Sequence, residues 1–229
     1  MKRIIPSIAI LLLTGYTLTA QKVSYGFRAA ANFSKVTNAA FWAEQEHSVI
    51  SNEFPTVIEA SKSQILPGFH GGAFFNIELS SQFSIQPEAN FNMYGSKTYL
   101  KWPGTGNETT EEQRLNYFSV PVLLQYRLSK DFFLEAGFQL DFLLSAKRSY
   151  RSTNSSHETF TGETTNTDSY KKQGFDINFG AGYQIPKLPV GVFFRYNLGV
   201  TNLPTMTWDK KLENRTAQLG VFFKVPNKK

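Results

Sequence analysis

Eight ionisable residues, Arg28, Glu78, Glu88, Arg127, Glu135, Asp141, Asp176 and Arg195, recur in runs where every second residue is apolar. In an extended chain each of them shares a face with Gly, Ser, Asn or Gln rather than with Phe or Leu. Carboxylates and guanidiniums gathered on one enclosed face can pair and fill space, because buried charges need partners. They can also line a small polar conduit or a gated site. Pairing is the first expectation, since both signs are present and small residues surround them.

Other reactive chemistry is thinly represented. His47, His70 and His157 are far apart, with no His-x-x-x-His pair and no acid-rich calcium loop, so no metal constellation is expected. Cysteine is absent, which excludes disulfides, thiolate catalysis, cysteine metal sites and a lipoprotein acyl anchor. No cofactor is implied. Ser and Thr near His157 form the one hydrolase-like grouping, and they stand there because the whole segment is rich in both. The chain is therefore expected not to be an enzyme, with a lipid-modifying enzyme at a barrel rim as one alternative. The aromatic residues Phe41, Trp42, Trp102, Tyr150, Phe160, Tyr170 and Trp208 fall in or beside the long connections. There they either form a contact surface or lie at the headgroup level of a membrane.

The elements that carry these residues read as strands. The clearest run, DFFLEAGFQLDFLLS over residues 131–145, places Phe132, Leu134, Ala136, Phe138, Leu140, Phe142 and Leu144 on one face and Glu135, Gly137, Gln139, Asp141 and Ser145 on the other. The same period marks strands over residues 23–34, 68–79, 83–93, 115–128, 174–185, 190–200 and 215–225. Connections alternate between long and very short. Residues 39–47 suggest a short helix in the first long connection, and residues 101–112 read as loop. Residues 147–172, rich in Ser, Thr and Asn, read as a mobile loop or as polar strand extensions. Pro121 lacks a ladder donor, so a bulge or irregular pairing is expected there.

Alternation alone does not tell a membrane barrel from a soluble lipocalin-like ligand carrier, which turns its apolar face inward. Composition does. The polar face is mostly Gly, Ser, Asn and Gln with few charges, unlike a water-exposed face, and the apolar face carries too much Phe, Tyr and Leu for a narrow interior. The expected fold is all-β, an eight-stranded antiparallel transmembrane barrel over residues 21–229. Before it, Lys2 and Arg3 precede an apolar stretch and a small-residue end at Ala20, so residues 1–20 read as a cleaved signal peptide. The chain carries a formal charge of +6, and removal of Lys2 and Arg3 leaves +4 with the basic residues scattered. No nucleic-acid partner is implied.

Several of these strands share a further likeness. The run NYFSVPVLLQYR over residues 116–127 resembles the Val/Ile-Pro-Leu-Leu-x-Tyr segment of the PorT-like outer-membrane β-barrel family of Bacteroidetes. GFRAAANFS over residues 26–34 is similar to that family's opening strand, and residues 134–144, 175–183 and 195–203 are similar to its later strands. GVFFKV, residues 220–225, resembles a C-terminal outer-membrane assembly signal, although PNKK follows it. The resemblance implies an outer-membrane location, and an even strand count puts both termini on the side of the short turns, expected to be periplasmic. The resemblance also implies recognition by the barrel assembly machinery and a place in the Gram-negative envelope, the family's eponymous member being linked to type IX secretion. The expected activity is non-enzymatic: contact with outer-membrane lipid and with a protein partner in secretion or envelope assembly, through external loops or rim. A narrow passive pore is the alternative.

Overall fold

Residues 22–40, 43, 60–102, 106–205 and 210–226 are described by the structure, a computed structural model. Among them run ten strands: β1 (Val23–Val36), β2 (Ala60–Gln64), β3 (Leu66–Glu78), β4 (Phe83–Trp102), β5 (Asn107–Arg127), β6 (Phe132–Thr153), β7 (Thr159–Thr165), β8 (Gln173–Gln184), β9 (Val190–Gly199) and β10 (Asn214–Lys224). The pairs β1–β3, β3–β4, β4–β5, β5–β6, β6–β8, β8–β9 and β9–β10 are all antiparallel. β10 then pairs with β1, from Gly26 opposite Lys224 to Val36 opposite Asn214, and closes the ring. Eight strands make the barrel. β2 continues the ladder of β3 on β4, and β7 takes the place of β8 on β6 beyond Lys147.

Side-chain placement follows the period of two. Phe27, Phe75 and Leu219 face outward and are 58, 57 and 61 % exposed, whereas Asn32, Arg195 and Gln218 face inward and are buried. Outward rings meet across strands, as in the stacked pairs Phe69–Phe91 at 5.2 Å and Phe138–Phe175 at 6.3 Å. A barrel that is apolar outside and polar inside is made for lipid. A lipocalin-like carrier requires the reverse.

The three short turns lie at one end. In two of them a serine hydroxyl accepts a backbone N–H three residues on: Ser80 from Phe83 at 3.0 Å and Ser129 from Phe132 at 3.2 Å. Both ends of the barrel chain sit there as well, for the Val225 N–H donates to the Tyr25 carbonyl at 2.8 Å.

At the opposite end the structure departs from the sequence reading. Residues 101–102 and 107–112, read as loop, are strand. β4 runs to Trp102 and β5 starts at Asn107, and Lys101 opposite Glu108 and Lys97 opposite Glu112 form cross-strand ion pairs at 3.6 and 3.4 Å. In segment 147–172 the strand-extension alternative holds for the upper part of β6 and for β7, followed by a 3-10 turn over Thr167–Ser169. Pairing of β4 with β5 lapses opposite Pro121 without a change of register. The register shift falls instead on β5–β6 at Asn116/Tyr117, where Leu144 is the inserted residue. Of the helix expected over residues 39–47, Ala39, Ala40 and Ala43 lie among the described residues and are helical. Residues 1–20, Phe41, Trp42, His47 and Trp208 lie outside them.

Candidate functional site

The lumen is filled in layers. At the short-turn end Phe74, Phe193 and Phe222 form an apolar cluster with Phe133 packed against it. Three of these rings cover glycines on the neighbouring strand. Phe74 faces Gly26, Phe133 faces Gly182 and Phe222 faces Gly191 in register, and a Cβ built on the glycines would fall 2.6, 2.2 and 2.2 Å from the respective ring. Each ring occupies the volume a side chain would otherwise take.

Above them lies a four-membered charge cluster. Arg195 donates from Nη1 and Nη2 to the two oxygens of Glu88, both at 2.9 Å, and from Nε to Glu135 at 2.8 Å. Arg28 donates to Glu88, stands 3.8 Å from Glu135, and lies 3.8 Å over the ring of Phe193. Glu88 also accepts from Gln86 and Asn90, each at 2.8 Å, and Gln125 donates to Glu135 at 3.1 Å. Two arginines and two glutamates, all buried, balance each other. Gly180 makes room, since a Cβ there would lie 3.0 Å from the Glu135 side chain.

A polar layer follows. Asp141 accepts from Ser119 and, at 2.8 Å, from Gln139, and Asp176, opposite Gln139 on β8, is the second acid of the layer. The Tyr94 hydroxyl accepts from Gln139 at 3.2 Å and from Asn197 at 2.8 Å. His70 bonds Asn92 at 2.8 Å and is enclosed by this layer. Val36, Leu115, Tyr117, Leu143, Ala146, Leu203 and Leu212 then form a second apolar cluster across the mouth.

The eight charges expected to form one network therefore separate into three groups. Arg28, Glu88, Glu135 and Arg195 are joined, and Asp141 and Asp176 share the polar layer. Arg127 and Glu78 meet at 3.3 Å on the rim, partly exposed. Height along the barrel, set by strand register, divides them, and alternation carries no height information. The expected surface aromatics also divide. Tyr150 and Phe160 are exposed on β6 and β7, with Tyr150 lying over Gly162, and Trp102 ends β4. Tyr170 instead packs under the mouth cluster and bridges to Pro204. Sequence reasoning passed over the inward rings of Tyr94, Phe133 and Phe222. Their signal was available, because each occupies an inward phase of its strand.

Residues 19–204 match the sequence profile of the outer membrane protein beta-barrel domain. The chain belongs to that family. No curated protein matches it. Among solved structures it is similar to Ail, the attachment invasion locus protein of Yersinia pestis, at 9 % identity over 89 % of this chain and 99 % of that one, with a TM-score of 0.43. It is also similar to Neisserial surface protein A at 13 % identity over 90 and 100 % of the two chains, TM-score 0.42. Membership, and with it an outer-membrane location, rests on the profile match rather than on these remote likenesses. Among the described residues no helix is long and apolar enough to cross a membrane, and a barrel crosses with its strands.

Proposed function

We propose that this outer-membrane barrel is a sealed, non-enzymatic scaffold that presents its extended strands outside the cell, with both termini periplasmic. The observation that carries this reading is the layered lumen. Two apolar clusters bracket a charge cluster whose acids are already paired with arginines, and this suits plugging rather than conduction or acid–base chemistry. Meanwhile β4, β5, β6 and β7 run on beyond the lipid-facing rings as a paired sheet that bears exposed Tyr150 and Phe160. That sheet is the surface offered to a protein partner. The PorT-like resemblance of the strands supports a partner in secretion or envelope assembly.

Two measurements test the proposal. Planar bilayers containing the folded protein are expected to show no conductance above lipid background, and steady channel currents would restore the pore reading. The chain has no cysteine, so single cysteines at Thr161 and Ser81 report orientation with an impermeant maleimide on intact cells. Labelling at position 161 alone is expected, and labelling at position 81 alone would invert the barrel.

A further inference from the structure

The outward face of the sheet changes character abruptly at one rung. On β5 and β6 the outward residues Phe118, Phe142 and Leu144 are exposed and apolar, with Phe118 and Phe142 in ring contact at 6.4 Å. Just beyond them Arg114 on β5 stands directly opposite Lys147 on β6. Their chain neighbours Leu115 and Ala146 are fully buried in the mouth cluster, so both cations face away from the barrel. Lys97 on β4 lies one rung farther out, opposite Glu112.

Like charges directly opposite on a sheet repel each other. Their acids do not separate them. Glu112, bonded by Arg114 at 3.1 Å and by Lys97 at 3.4 Å, and Glu163, bonded by Lys147 at 3.0 Å, occupy the rung farther from the apolar belt. The two cations thus lie between the lipid-facing rings and their own carboxylates. At that height a membrane presents headgroup phosphates, and a guanidinium beside an ammonium matches them in charge and donors.

We propose that Arg114 and Lys147, with Lys97 beside them, hold the phosphate of an anionic lipid headgroup in the leaflet at this end of the barrel. The inference rests on the membrane placement of the strands. The test uses the folded full-length protein in phosphatidylcholine nanodiscs doped with diphosphorylated lipid A, with retained lipid counted by native mass spectrometry. Wild type is expected to retain lipid A roughly tenfold better than the Arg114→Gln/Lys147→Gln protein. Lys62→Gln/Lys101→Gln, which removes cations higher on the same sheet, is expected to retain it like wild type. Inorganic phosphate is expected not to displace it. Equal retention by wild type and the Arg114/Lys147 protein overturns the site, as does an equal loss in both double variants. Displacement by phosphate assigns the site to a free anion instead. The single Lys147→Gln protein gives a smaller loss in the same direction if the double variant does not fold. Heat-dependent migration on SDS gels reports the barrel separately, so failure of the membrane reading is distinguishable from failure of the lipid site.

Discussion

Arg195 meets Glu88 in a two-bond fork, 2.9 Å at each contact, while its remaining nitrogen holds Glu135. With Arg28 on the same carboxylate, the pair ties β1, β4, β6 and β9 together through the centre of the barrel. Glu135→Ala would leave Arg195 Nε without its acceptor and take one of the two acceptors of the Gln125 amide, at a cost of about 3–5 kcal/mol. Arg127→Ala removes a partly exposed rim pair and should cost about 0–1 kcal/mol. Unfolding temperatures followed by the gel shift should separate the two, and equal losses would place the rim pair within the central cluster.

Glycines under the lower rings should differ in tolerance. A Cβ at Gly182 would meet the far edge of Phe133, which can swing aside, so Gly182→Ala should cost under about 1 kcal/mol. At Gly191 a Cβ would also fall 2.5 Å from the Tyr183 carbonyl, which cannot move without the ladder, and Gly191→Ala should cost about 1–3 kcal/mol. Chemical denaturation of the two variants side by side checks the order, and the reverse order would contradict the arrangement.

Asp141 accepts from both Ser119 and Gln139, whereas Asp176 Oδ2 meets no donor among the described residues. Asp176→Asn should therefore stay within about 1 kcal/mol of wild type. Asp141→Ala strands the Ser119 hydroxyl, takes one of the two acceptors of the Gln139 amide, and should lose about 1–3 kcal/mol. A large loss in Asp176→Asn would show that the layer needs a second negative charge.

On the upper sheet the acid dependence of stability should come from Glu112. Burial pushes its carboxyl up, but the bond from Arg114 and the charge of Lys97 outweigh this and hold it below its ordinary range. A carboxyl lowered in the folded state contributes fully above its unfolded value, and that contribution is lost as pH falls through the folded value. Amide protection over residues 107–114, taken relative to intrinsic exchange, should hold at pH 5 and fall only below the ordinary glutamate range. Glu112→Gln should flatten that dependence. A transition near pH 6, or one retained in Glu112→Gln, would assign it to another group.

Strand number, ring order and the inward or outward side of nearly every barrel residue were legible, because lipid on one side and a narrow polar lumen on the other leave alternation nowhere to fade. Beyond the lipid both faces are polar. The extensions over residues 101–102 and 107–112 consequently lose the two-residue signal and look like loop, and residues 147–153 read equally as loop or extension, although cross-strand pairing holds them as sheet. Pro121 drew attention as a disturbed position because proline is conspicuous. Leu144, which actually shifts the register, is an ordinary outward leucine. The division of the charges was hidden for a different reason: the meeting of Arg28 with Glu88, sixty positions apart in the chain, depends on barrel shear, which no local pattern encodes.

That inserted leucine acts as a phase switch. Below it the odd-numbered residues of β6, such as Glu135 and Asp141, look into the lumen; above it Ala146 does, and Lys147 looks out. Removing one residue at Leu144 would leave composition almost untouched, yet it would rotate the whole upper half of β6, turning Lys147 and Arg151 over the mouth and Arg148 toward the lipid boundary. Which charges the upper sheet displays thus depends on a single count of residues, so a one-codon deletion there would rewrite that face while leaving the residues below Leu144 in phase.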